Sequence, residues 1–265
     1  MLKVKERWTK HLFFVTINMV IYMLYSSISN EKIKNIKKLN EKKYRDNEGL
    51  FLVEGEHLVL EAYKNNCLKT LIVEEGHSFD LNVDKMIVTS NVLKYISKLD
   101  SYPKVMGICY KKEEKEIGDN VLIIDGVQDP GNLGTIIRSA VAFNIDTIIL
   151  GEDSVDLYNS KVIRSTQGML FNINIIEKNL FEIIPKLREL NYKLMVTNLN
   201  GGKDIKTIEK NDKFAIIVGN EGQGVKKEII DLCDESIYID MNSNCESLNV
   251  AVATGIILYE LDKKV

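Results

Sequence analysis

The chain has 265 residues, enough for one large domain or two small ones, and its 45% hydrophobic share can bury a core without disulfide or metal staples. A formal charge of -3 excludes a protein that holds nucleic acid by global basicity, so any such contact must come from a local patch. Four dispersed cysteines (Cys67, Cys109, Cys233, Cys245) and three dispersed histidines form no zinc pattern, so no metal is expected, and isolated thiols suit a reducing cytoplasm.

The chain opens with Lys3, Lys5, Arg7 and Lys10 ahead of the apolar run LFFVTINMVIYMLY (12–25) and the small residues Ser27 and Ser29, which is the outline of a signal peptide. The run is short and mixed for a membrane span. Residues after Met23 read as the start of a soluble domain. Residues 1–23 are therefore taken as an extension outside the fold, in preference to secretion, and no membrane association is expected.

Between Lys32 and Arg45 seven cations face the single acid Glu41, with Ile33, Ile36 and Leu39 at every third position. Such spacing predicts an amphipathic helix, and composition alone reads it as a solvated face. Short alternating elements follow: LFLVEG as a strand, EHLVLEAYKNN as a helix, LKTLIVEE and KMIVTS as strands, NVLKYISKL as a helix and VMGICYKK as a strand. Residues 24–110 thus read as a small α/β domain. The charged stretch KKEEKEIGDN (111–120) has no apolar period and reads as a linker.

From Val121 to the end, continuously apolar strands (VLIID, DTIIL, INII, KLMVT, FAIIV, SIYID) alternate with helices, the mark of a largely parallel sheet buried on both faces. Ligands of such sheets sit beyond the strands' carboxyl ends. Three of those ends carry unusual loops. After VLIID comes GVQDPGNLG, with Pro130, Gly131 and Gly134 shaping a turn around Asn132; after FAIIV comes GNEGQGV; after SIYID comes MNSNCESLN. The spacing G-x-x-G-x-G is not a dinucleotide fingerprint, no P-loop lysine is present, and Glu221 inside the loop would repel phosphate. A ligand with hydroxyls, ring nitrogens or a positive centre fits better.

Taken together and in this order, DPGNLGTIIRSA, IIVGNEGQGV and IDMNSNCESLNVAVATGIILYE resemble the three motifs of the SpoU (TrmH-type) branch of the SPOUT methyltransferases, which methylate the ribose 2′-hydroxyl of RNA. The resemblance implies an α/β domain over 121–265 with a mostly parallel sheet and a deep trefoil knot. It implies S-adenosyl-L-methionine as cofactor, held by Gly219, Asn220, Glu221, Gly222, Ile239, Met241, Ser247 and Leu248. Catalytic positions would be Arg138, Asn132, Glu221, Ser247 and Asn249. A guanidinium is a poor base, so Arg138 is expected to orient the hydroxyl and steady developing negative charge, with Glu221 holding that arginine or the cofactor. Ser247 is also a candidate cap of the last helix.

The preceding segment, with KKYRDNEGLFLVEGEHLVLEAYKNN, resembles the L30e-like substrate-binding domain of the family's ribosomal-RNA enzymes. That moves Lys37, Lys38, Lys42, Lys43 and Arg45 from a solvated face to expected RNA phosphate contacts. Ribosomal RNA is the expected partner. A transfer-RNA enzyme and a catalytically silent RNA-binding protein remain the alternatives, the second opposed by the joint presence of the five catalytic positions. The nearly all-apolar helix 250–261 implies a homodimer.

Overall fold

In the computed structural model residues 23–198, 201–209 and 211–262 are described. The signal-like reading of the N-terminus falls on residues that lie almost wholly outside this range. Among the described residues no helix is long and apolar enough to cross a membrane.

The first unit contains β1 (Leu24–Tyr25), α1 (Glu31–Lys38), α2 (Lys42–Glu48), β2 (Leu50–Glu54), α3 (Glu56–Lys64), β3 (Leu68–Glu74), β4 (Asp84–Val88), α4 (Ser90–Ile96) and β5 (Val105–Tyr110). Its sheet runs β1-β4-β3-β5-β2, with β4 parallel to β1 and β3 and β5 antiparallel to β3 and β2. The basic segment forms two helices instead of one. Ile33, Ile36 and Leu39 are buried as their spacing predicts, and the chain then turns at residues 39–41 into α2, which ends on Gly49 in the left-handed region.

The second unit contains β6 (Asn120–Ile124), α5 (Pro130–Ala142), β7 (Thr147–Leu150), α6 (Ser160–Ser165), β8 (Asn174–Glu177), α7 (Leu180–Glu189), β9 (Lys193–Thr197), β10 (Lys203–Asp204), β11 (Phe214–Val218), α8 (Lys227–Ile230), β12 (Glu235–Tyr238) and α9 (Val250–Asp262). All seven strands are parallel, in the order β10-β12-β9-β11-β6-β7-β8. The central strands β6, β9 and β11 are apolar on both faces because separate cores cover each side, one under α5 and α9 and the other under α7 and α8.

PGNLG is the first turn of α5, not a free loop. Asp129 caps the helix by accepting from Asn132 N at 2.9 Å, and Pro130 occupies the first position, where its missing N–H costs nothing. Gly134 is needed there because a Cβ would lie 2.3 Å from Ser165 Cβ on α6.

The stretch 111–120 is no slack tether. Lys111 pairs with Asp46 at 2.6 Å, Lys112 Nζ donates to the carbonyls of Phe171 and Ile173, and Lys178 pairs with Glu114 at 2.6 Å. Ile163, Leu170 and Phe171 of the second unit complete the hydrophobic cluster of the first. The two units therefore share a core, built from the first sheet and from α6 and the turn that follows it.

Candidate active site

Because β6, β9, β11 and β12 are parallel neighbours, the loops that follow them emerge on one edge of the sheet. Between the loops after β9, β11 and β12 lies a cavity of about 460 Å³, within the usual range for a small-ligand site. Gly219, Asn220, Glu221, Gly222, Ile239, Met241, Ser247 and Leu248, the eight positions expected to hold a cofactor, all line it. Glu246, in the same polar run 242–249 as Ser247 and Leu248, lines it as well, and so do Thr197 at the end of β9, Asn198 just after it, Ala253 and Thr254, which were not anticipated. The signal for Asn198 was in the sequence: VTNLNGG is a fourth strand end followed by amides and glycines.

The second loop is shaped by Asn220. Its backbone pairs with Gly224 in both directions at 3.0 Å, its Oδ1 accepts from the amides of Gly222 (2.9 Å) and Gln223 (3.2 Å), and its Nδ2 donates to Gly126 O at 2.8 Å. This tight hairpin explains Gly219. A Cβ there would lie 2.1 Å from Gly224 C and 2.2 Å from Val225 N, so the glycine admits the loop's own backbone as well as bordering the ligand space.

Glu221 lines the cavity but does not take the arginine-holding part of its expected role. Its carboxylate does not reach Arg138. It accepts instead from Asp129 N (3.1 Å), Asn132 Nδ2 (3.0 Å) and Gln128 N (3.3 Å), clamping the start of α5. Partial burial pushes this carboxyl up, but the Asn132 side chain and the backbone amides outweigh it and hold the group below its ordinary value. Asn132 passes the link on, its Oδ1 accepting from Asn249 Nδ2 at 2.9 Å. One chain, Glu221–Asn132–Asn249, thus joins all three loops.

Asn249 also settles the cap of α9. Its Oδ1 accepts from Ala251 N (3.0 Å) and Val252 N (3.3 Å), so the capping role considered for Ser247 belongs to Asn249, and Ser247 stays exposed at the cavity. The polar start of the last helix therefore does three things: it lines the cavity, caps α9 and ties into α5.

Arg138 stands apart. It is exposed on α5, outside the cavity lining, next to Thr135 and Ser139. Those two residues border a shallow cleft formed with Phe143, Val252, Gly255, Ile256 and Tyr259. Helix α9 is not buried on every side: Val252, Ile256 and Tyr259 are 53%, 36% and 48% exposed along this face.

Of the expected RNA contacts, Lys42 and Lys43 are exposed, while Lys37 and Lys38 are half-buried over the rings of Tyr95 (5.3 Å) and Tyr44 (5.7 Å). Arg45 is corrected. It is 5% exposed, forms an ion pair with Asp156 of the second unit and donates to Leu39 O at 3.0 Å, so it fastens the two units instead of facing RNA.

The cavity's donor set suits S-adenosyl-methionine: backbone groups of the glycine-rich loop 219–224 and of the loop before α9, amides and hydroxyls for an adenosine edge, and apolar surface from Leu248 and Ala253. Residues 119–259 match the SpoU rRNA Methylase family, and residues 30–107 match the MRM3-like substrate binding domain. The 23S rRNA (guanosine(2553)-2′-O)-methyltransferase RlmP of Bacillus subtilis (strain 168) is 36% identical over 241 residues, covering 89% of this chain and 97% of the relative. An AdoMet-bound rRNA methyltransferase from Sinorhizobium meliloti superposes with a TM-score of 0.81 at 29% identity, covering 92% of this chain and 98% of that one. A solved RNA 2′-O ribose methyltransferase gives 0.78 at 26% identity, over 91% and 99%. With its three motif loops gathered on one sheet edge and its sequence matched across both units, the chain belongs to the SpoU rRNA methylase family.

Proposed function

We propose that this protein is an S-adenosyl-methionine-dependent methyltransferase acting on a ribose 2′-hydroxyl of 23S ribosomal RNA, as a cytoplasmic homodimer. The observation that carries the reading is the Glu221–Asn132–Asn249 chain, which ties the first motif, at the start of α5, to the two motif loops that line the cavity. Similarity to RlmP over nearly the whole of both chains favours ribosomal over transfer RNA, and the guanosine in that relative's name is the first nucleotide to map.

The cofactor supplies a methyl group already activated by its sulfonium. The protein's work is then positioning. Gly219, Asn220, Gly222, Ile239, Met241, Ser247 and Leu248 hold the cofactor, and Asn132, Asn249 and Glu221 fix the loops against one another. Arg138 orients the 2′-hydroxyl and steadies developing charge on its oxygen, since a guanidinium with a pKa above about 12 donates hydrogen bonds and does not remove protons. The proton passes to a neighbouring RNA phosphate. Because Arg138 lies outside the cavity of its own chain and beside the open α5–α9 face, we assign it to the cavity of a partner subunit docked on that face. Val252, Ile256 and Tyr259 would be covered there. Lys37, Lys38, Lys42 and Lys43 contact RNA phosphates from the substrate-binding domain. We also infer the trefoil threading of the family, a reading supported by the placement of β11 between β6 and β9 and by the packing of residues 239–250 around the second loop's cavity.

The test is transfer of labelled methyl from S-adenosyl-methionine to unmodified 23S RNA and to transfer RNA, with mapping of 2′-O-methyl nucleotides in cells with and without the gene. A missing 23S modification is expected. Label confined to transfer RNA would establish the second substrate, and no transfer to either RNA would overturn the assignment.

A further inference from the structure

The cavity has a one-sided charge. Among the described residues that line it there is no lysine, arginine or histidine, and the charged side chains are two carboxylates, Glu221 and Glu246. They are not equivalent. Glu221 is committed to Gln128 N, Asp129 N and Asn132 Nδ2, and its charge is spread over those donors. Glu246, in the third loop beside Ser247, is exposed and forms no ion pair among the described residues. It is a carboxylate in the cavity lining with its acceptor capacity open.

We propose that Glu246 is a specificity-determining residue that makes the cavity prefer the sulfonium cofactor over the demethylated product. The inference rests on the methyltransferase reading above. In the reaction the ribose oxygen forms a bond to the methyl carbon as the carbon–sulfur bond breaks. The electron pair stays on sulfur, which becomes a neutral thioether, and the hydroxyl proton leaves to the RNA phosphate. The cofactor thus carries one more positive charge than its product, while the two share adenosine, amino and carboxyl groups. A lining without cations favours the charged form, and the attraction is removed by the reaction itself. Product inhibition falls as a result. Since Glu246 is exposed, screening limits the preference to that of a surface ion pair, about two- to fivefold in affinity.

The experiment is calorimetric titration of the full-length wild type, E246Q and E246D with S-adenosyl-methionine, S-adenosyl-homocysteine and sinefungin, in which an amine-bearing carbon replaces the methylsulfonium. In the wild type the two cations should bind more tightly than S-adenosyl-homocysteine. E246Q should lose about two- to fivefold in affinity for both cations with little change for the thioether, and E246D, which keeps the carboxylate, should hold most of the preference. An unchanged preference in E246Q would overturn the proposal. So would equal weakening of all three ligands, which would place Glu246 opposite the shared amino group. If the wild type binds none of them, with or without RNA, the methyltransferase reading itself fails, a result distinct from either.

Discussion

Replacing Asn132 tests whether the three-loop chain is a real mechanical unit. Its Nδ2 donates to Glu221 Oε1 at 3.0 Å and its Oδ1 accepts from Asn249 Nδ2 at 2.9 Å. A neutral hydrogen bond nets about 1 kcal/mol and one to a carboxylate about 1.5–3 kcal/mol, and at this open edge both fall near the low end. N132A should therefore cost roughly 1–2 kcal/mol, a melting-temperature loss of roughly 3–6 °C for a chain of this size, with weaker cofactor binding. N132D is sharper. It keeps the acceptor for Asn249 but sets a second carboxylate against Glu221, and two such groups at hydrogen-bond distance cannot both ionise, so one titrates above its unfolded value. That penalty is present at pH 8 and relieved as pH falls through the raised value. Wild-type Glu221 behaves oppositely: its carboxyl is held below the ordinary value, so its contribution is complete above the unfolded value and lost as pH falls through the folded one. Thermal unfolding from pH 8 to pH 5, with cofactor calorimetry, should show N132D below N132A at pH 8 and rising toward it on acidification. If N132D equals or exceeds N132A at pH 8, or if its deficit ignores pH, the geometry of the chain is wrong.

Arg138→Ala should leave fold and cofactor affinity intact while removing most methyl transfer, and Arg138→Lys, which keeps charge but not the planar fork, tells whether geometry matters; full activity in the alanine variant would remove Arg138 from the site. Neutralising Lys37, Lys38, Lys42 and Lys43 should weaken RNA binding and lower its salt slope by about 0.7–0.9 for each phosphate no longer neutralised, whereas Arg45→Ala should leave Asp156 unpaired and cost about 3 kcal/mol in denaturant unfolding. Ile256→Glu with Tyr259→Glu should yield monomers by light scattering that bind cofactor but do not turn over, and a wild type already monomeric and active would refute the shared site. Gly219→Ala should already disrupt the second loop, because its Cβ meets backbone at 2.1 Å, while Ala253→Phe should fill the cavity and abolish cofactor binding without unfolding; melting curves beside titrations separate the two.

The strands and the loops that follow them were legible in the sequence because they rest on local facts: apolar runs of strand length, and glycines and amides where a strand must stop. The alternation of these runs with helices specified a parallel sheet, and a parallel sheet puts its strand ends on one edge; the eight cofactor positions within those loops came from the resemblance to the family's motifs and not from periodicity, and all eight line one cavity. What the sequence left open depends on partners far along the chain. Arg45 and Lys43 are two residues apart and equally basic, yet one is sealed against Asp156, 111 residues away, and the other faces solvent. Glu221 reads alone as a ligand for a cation or an arginine; only the arrival of Gln128 and Asp129 from the β6–α5 loop and of Asn132 from the first turn of α5 makes it a clamp. Gly219 reads as room for a ligand, and the fold gives part of that room to Gly224 and Val225. Helix α9 is apolar around its whole circumference, but which face remains open was decided by the docking of α5 on it. Local composition sets where the chain can bend and what it wants to bury; which groups meet is set by long-range packing, and hydrogen bonds of fixed reach then choose each polar group's role.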